Sequence, residues 1–235
     1  MPKNSSSPSK TLFSTPFSKA YWVQAASEFR NLKMLLFAAL VVALRVALKS
    51  VSIPIAADLR IGVGFFVNAF GSMIYGPVVA AAGAAVSDTL GALLFPSGPY
   101  FPLFLITEIA GSVIFALFLY STRVTALRVI LSRFCIDFFV NIVLNTPVMM
   151  AYYSVMLGKS YKVLHWPRIV KNLAMFPLES VLLILFLRAV IPAVRQLGAV
   201  PGGVEDLRFT RKNITLLAIF TVIGVAAVIL YAVTR

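Results

Sequence analysis

Seven runs of mostly apolar residues, parted by short polar or Pro/Gly-rich joints, limit what this chain can fold into. They fall at about residues 33–53, 61–75, 77–95, 101–120, 127–150, 169–191 and 213–233. A helix that crosses bilayer hydrocarbon needs about 20 such residues. Spanning structures must also satisfy every backbone polar group internally, which leaves helices or closed barrels. Runs of this length predict helices, and the fold class expected is an all-α polytopic membrane protein. With 60% hydrophobic and 12% charged residues, no stretch remains for a sizeable soluble domain.

The net charge of +13 does not predict nucleic-acid binding. Its basic residues are not gathered on one arm or helix face, as a phosphate-tracking surface requires. Most flank apolar runs instead, where they set topology. Lys3, Lys10, Lys19, Arg30 and Lys33, then Arg123 and Arg128, then Arg195, Arg208, Arg211 and Lys212 share one side if the spans alternate. That bias predicts a multi-pass cell-membrane protein with a cytoplasmic N-terminus. Arg60, Lys159, Lys162 and Arg168 fall on the outer side against the rule, and capture of an anionic ligand from outside would account for them. The start of the chain, rich in Ser, Lys and Pro, reads as a tail, with an amphipathic piece at residues 20–30 suited to the interface.

Polar residues inside apolar runs are the site candidates, because an ionised side chain in hydrocarbon costs at least about 2.5–3.5 kcal/mol. Four carboxylates qualify: Asp88, Glu108, Asp137 and Glu179. In the first span Ala39, Ala43 and Ala47 form a small-residue stripe, which lets another helix approach closely. Arg45 and Lys49 lie about 140° around the same helix, so one side suits a partner and the other a polar interior. Arg133, Asp137, Asn141 and Asn145 follow one another at four-residue steps, and the first two can pair. Arg168, Lys171, Asn172 and Glu179 share a broad face of the sixth span.

Other chemistries lack parts. LGKS at residues 157–160 has no glycine where a phosphate-binding loop would need one, at Tyr153. His165 is the only histidine and Cys135 the only cysteine, so no metal, cofactor or disulfide is expected. A membrane enzyme acting on lipid, with the buried carboxylates as acid and base, is the alternative from another class.

The stripe FAALVVALRVAL, the segment LRIGVGFFVNAF, the run AVSDTLGALLFPSGPYFP, the LNT of residues 144–146 and PRIVKNLAMFP together resemble the substrate-binding S component of an energy-coupling factor (ECF) vitamin transporter, folate-specific branch. The resemblance covers about residues 33–193. It implies a six-helix substrate-binding domain at 33–195; the chain itself adds a tail at 1–32, a basic linker at 196–212 and, as a departure from the six-helix plan, an additional transmembrane helix at 213–233. It implies a transporter subunit rather than an enzyme, capturing folate or a related pterin, with another aromatic vitamin or a queuine-like base as alternative. The implied partners are a membrane coupling (T) subunit, docked on Ala39, Ala43 and Ala47, and two ATPase subunits. Within that frame Arg60, Arg168 and Lys171 would attract the anionic tail, and Tyr100 and Phe101 would close over the ring. Asn141, Asn145, Asn172 and a carboxylate, Glu179 before Asp88, would read the ring edge, with Arg45 on the polar side of the first span. Glu108 departs from the family pattern, which has a small or hydroxyl residue there.

Overall fold

The structure is a computed structural model. It describes residues 11–49, 51–56, 59–96, 98–163, 166–196, 200 and 205–233, without the side chains at 52–56, 59–61, 205 and 231–233. His165 and residues 1–10 lie outside the described residues.

Helix α1 (Lys19–Ser27) starts at Ser18, whose hydroxyl accepts from the Tyr21 amide at 3.2 Å. A 3₁₀ turn (Glu28–Arg30) and a bend of 82° lead into α2 (Leu32–Leu48), capped by the Asn31 side chain. Tyr21 is fully buried and donates to the Ala116 carbonyl at 3.1 Å, so α1 is pinned to the end of the bundle. There Tyr120 donates to Glu28 at 2.8 Å and Gln24 to Ser121 at 2.8 Å.

The first apolar run extends to residue 53, but α2 stops at Leu48. Strand β1 (Ser52–Ala56) then pairs antiparallel with β2 (Leu59–Gly62), so the joint is a hairpin rather than a plain loop. Helix α3 (Gly64–Leu94) holds two runs joined at Gly76, whose φ of 77° lies where only glycine is unstrained, followed by Pro77. The two limbs run in opposite directions along α2: Asn68 and then Gly71 meet Arg45 and Val41, whereas Gly83 and then Gly91 meet Val42 and Lys49. Gly71 and Gly83, on either side of the break, face the neighbouring residues Val41 and Val42 of α2. The ring of Tyr120 covers the break, 3.0 Å from where a Gly76 side chain would begin.

Helix α4 (Phe104–Leu119) is followed by a continuous helical stretch: α5 (Ala126–Cys135), a wide π segment (Ile136–Leu144) and α6 (Asn145–Leu157). Helix α7 (Trp166–Gln196) accommodates Pro177 and Pro192, and α8 (Arg211–Val233) lies against it. Gly224 makes that close approach possible, since a side chain there would begin 2.9 Å from Ala174 Cα. Strand β3 (Val124–Thr125) pairs in parallel with β4 (Glu205–Asp206), tying the α4–α5 joint to the segment before α8.

Among the described residues, α7 and residues 211–230 of α8 are each long and apolar enough to cross a bilayer, α3 is apolar too but divided at Gly76, and α1 with α2 qualifies as a bent pair. The core between the helices is apolar, built on Tyr75, Phe115, Leu119, Ile130, Leu183 and Leu187, each at most 1% exposed. Large apolar side chains also cover the outside, as on α8 at Ile219, Val222 and Ile229. That inversion of a soluble surface is what hydrocarbon as solvent demands.

Candidate functional site

A cavity of about 720 Å³ opens between the ends of α2, α3, α4 and the α5–α6 stretch, at the end of the bundle away from α1. Its size lies within the range of about 300–1,000 Å³ usual for small-molecule sites. Arg45 and Lys49 reach it from the last turns of α2, Asn68 from the first limb of α3, and Asp88 from the second. Helix α4 adds Glu108 and Gly111, and the α5–α6 stretch adds Arg133, Asn141 and Asn145.

The wide π segment helps to place that last row. Steps of four overshoot an α-helical turn of about 3.6 residues by about 40°. Turns closed by i→i+5 bonds undershoot, so between Ile136 and Leu144 the drift is reversed. Arg133, Asn141 and Asn145 thus all remain on the cavity wall.

Three charged clusters stand around the cavity. In the first, Arg45 Nη2 lies 2.8 Å from Glu108 Oε2, while Nη1 donates to Asn68 Oδ1 at 3.1 Å and Ser112 Oγ at 3.2 Å. In the second, Lys49 Nζ meets Asp88 Oδ1 at 3.0 Å and also the Asp88 carbonyl at 3.3 Å. In the third, Arg133 binds Asp137 at 2.8 Å and Glu179, with its guanidinium 4.9 Å from the centre of the Phe65 ring. Asn141 extends this cluster by donating to Asp137 and to Asn172, each at 3.0 Å. Pairing of this kind lowers the cost of holding charge in the bilayer.

The remaining wall is aromatic. Phe101, Phe104 and Tyr152 form a three-ring cluster with centroids 5.4–5.9 Å apart. Phe101 is nearly buried within it, and Tyr100 is exposed, its hydroxyl 3.5 Å from that of Thr89. Asn145 Oδ1 is buried and has no hydrogen-bond partner among the described residues. It is an acceptor in want of a donor.

The expected site residues therefore divide. Arg45, Asp88, Tyr100, Phe101, Asn141 and Asn145 line the cavity. Arg168, Lys171, Asn172 and Glu179 do not. Their helix α7 lies one layer out, so Glu179 sits behind Arg133 and Asn172 behind Asn141. Arg168 donates to the Asn141 carbonyl at 3.3 Å and to the Tyr161 hydroxyl, which fastens the loop before α7, and Lys171 is exposed. The Arg60 side chain lies outside the described residues. Sequence reasoning passed over Asn68, Ser112, Phe65, Phe104 and Tyr152. A signal existed for Asn68: it is a lone amide in an apolar run, as Asp88 is a lone carboxylate.

On the other side of α2, Ala39, Ala43 and Ala47 line an apolar groove of about 680 Å³ shared with Val79, Gly83 and Val86 of α3. The two faces of α2 thus serve different spaces.

No family model matches the chain. The folate transporter FolT of Clostridium novyi (strain NT) is 37% identical over 134 residues, which make up 57% of this chain and 74% of that protein. The chain belongs to the FolT family. A crystal structure of FolT bound with folic acid superposes with a TM-score of 0.54 at 28% identity, covering 64% of this chain and 88% of that one. FolT membership makes the chain an S component, a multi-pass membrane transporter subunit rather than an enzyme. The all-α S-component fold expected from the sequence is the one observed, with α8 as a further helix.

Proposed function

We propose that the chain captures folate or a related pterin in the cavity from outside the cell, and delivers it with a separate coupling subunit and two ATPase subunits. The observation that carries this is a cavity walled by aromatic rings and by guanidinium and ammonium groups, in a member of the FolT family. A flat ring suits Phe65, Phe104 and Tyr152, and Asn141 and the unpartnered Asn145 Oδ1 suit a donor-rich edge. The dianionic tail is drawn by Lys49 at the rim and by the basic residues Arg60, Arg168 and Lys171 around that end. Tyr100 and Phe101 close the entrance. In this reading the cavity faces out, and α1 with the N-terminus lies on the cytoplasmic side, in line with the Lys/Arg bias.

The groove along Ala39, Ala43 and Ala47 receives the coupling subunit, because small residues let a helix approach closely in lipid. Folate added to the purified chain is expected to raise its melting temperature in a concentration-dependent way. Absence of any shift across folates, with a shift for another ring compound, would replace folate as the ligand. Ala43→Leu fills the groove and leaves the cavity untouched, so it is expected to retain folate binding and lose uptake in cells carrying the ATPase and coupling subunits. Uptake equal to that of the wild type would move the docking surface elsewhere.

A further inference from the structure

We propose that Glu108, held by Arg45, reads the 2-amino-4-oxo edge of the pterin and makes the cavity select a 4-oxo over a 4-amino ring. The inference rests on the folate reading above and adds to it the residue and the atom that set ring specificity.

The carboxylates around the cavity are not equally free. The side chains of Asp137 and Glu179 are 7% and 14% exposed, and both are bound by Arg133. Asp88 is 10% exposed and bound by Lys49. Glu108 is 46% exposed on the cavity wall, and among the described residues only Arg45 bonds its carboxylate. Its remaining lone pairs face the cavity, open to a ligand's donors.

Arg45 is the opposite case. Its side chain is 8% exposed and is held at Nη1 by Asn68 and Ser112 as well as at Nη2 by Glu108. The guanidinium is therefore set in place beside the carboxylate, with acceptor and donor side by side. A 2-amino-4-oxopteridine presents the complementary order along one edge: the 2-amino N–H, the ring N3–H, then the 4-oxo oxygen. A carboxylate fork takes the two N–H groups and the neighbouring guanidinium takes the oxygen, each bond charge-assisted. A 4-amino ring turns that last acceptor into a donor facing Arg45, and its N3 carries no hydrogen in the neutral ring. Sites built on hydrogen bonds reject such analogues strongly, because their own polar groups are left unpaired.

Glu108 stands on the same face of α4 as Gly111, one turn on, where a side chain would meet nothing within 4 Å. There the cavity reaches the helix backbone, and a flat ring has room to lie with its edge at Glu108.

The test titrates wild-type protein and the Glu108→Gln variant with folic acid, with aminopterin, which differs from it only in carrying 4-amino for 4-oxo, and with p-aminobenzoylglutamate, which lacks the pterin. The wild type is expected to prefer folic acid over aminopterin by at least about tenfold. Glu108→Gln is expected to weaken folic acid by at least about tenfold and to shrink that preference, with p-aminobenzoylglutamate unchanged. Equal wild-type affinity for folic acid and aminopterin overturns the inference, and needs no variant to fold. Unchanged folic acid binding in Glu108→Gln also overturns it, as does a parallel loss for p-aminobenzoylglutamate, which would place Glu108 at the tail. Wild-type protein that binds no folate at all would instead remove the folate reading on which the inference stands.

Discussion

Replacing Arg133 with methionine is expected to destabilise the folded chain by about 3–5 kcal/mol, the cost of leaving buried charge without its partner. Arg133 is the single cation between Asp137 and Glu179 among the described residues, and all three side chains are nearly closed to solvent, at 7%, 7% and 14%. Without it two carboxylates face each other inside the bundle, and only the Asn141 amide still donates to one of them. The damage extends into the cavity, because Arg133 also covers the Phe65 ring and Asn141 lines the wall. Thermal unfolding of the detergent-solubilised variant measures the loss. Adding Asp137→Asn and Glu179→Gln to Arg133→Met should recover much of it, since a neutral buried cluster carries no unpaired charge. A single variant that melts with the wild type would mean that solvent or lipid headgroups reach the cluster.

This cluster also shows how far a sequence reads into a membrane site. The pairing of Arg133 with Asp137 follows from a spacing of four on one helix, and it is present. The third member, Glu179, lies 46 residues away from Arg133. Periodicity places Glu179 on the inward face of α7, but not behind another residue that takes the cavity position. The same holds for Asn172 and Asn141. Inward on an outer-layer helix is not the same as lining the cavity. On α2 an angle around one helix decides both faces, with the alanine groove on one side and the cavity on the other.

The joints were harder to read than the spans. The reversal at Gly76 is legible, since Gly-Pro interrupts an apolar run and one residue must take a positive φ. The hairpin of β1 and β2 is also written in the chain, in the alternation Val51-Ser52-Ile53-Pro54-Ile55 and Leu59-Arg60-Ile61-Gly62-Val63, but hydropathy alone merges those apolar positions into the neighbouring spans. The π segment left no mark in the sequence, yet it keeps the asparagine row on the cavity wall.

Gly111→Leu is expected to keep the fold and to weaken folate binding by about tenfold to a hundredfold, corresponding to the 1–3 kcal/mol typical of an overfilled site. Gly111 is buried, yet its missing side chain would touch nothing within 4 Å, because the space beside it is the cavity itself. Leucine there points into the place the ring would take. Within α4 it also replaces a poor helix former by a good one, a change of up to about 1 kcal/mol in favour of the helix. Stability and binding should thus move in opposite directions, and general damage to the protein cannot imitate that pattern. Gly111→Ala, filling less of the space, should fall between wild type and leucine. Calorimetric titration with folic acid alongside a melting curve reads both quantities. Undiminished affinity in Gly111→Leu would place the ligand at the rim, near Lys49 and Tyr100, and take the deep cavity out of the binding site.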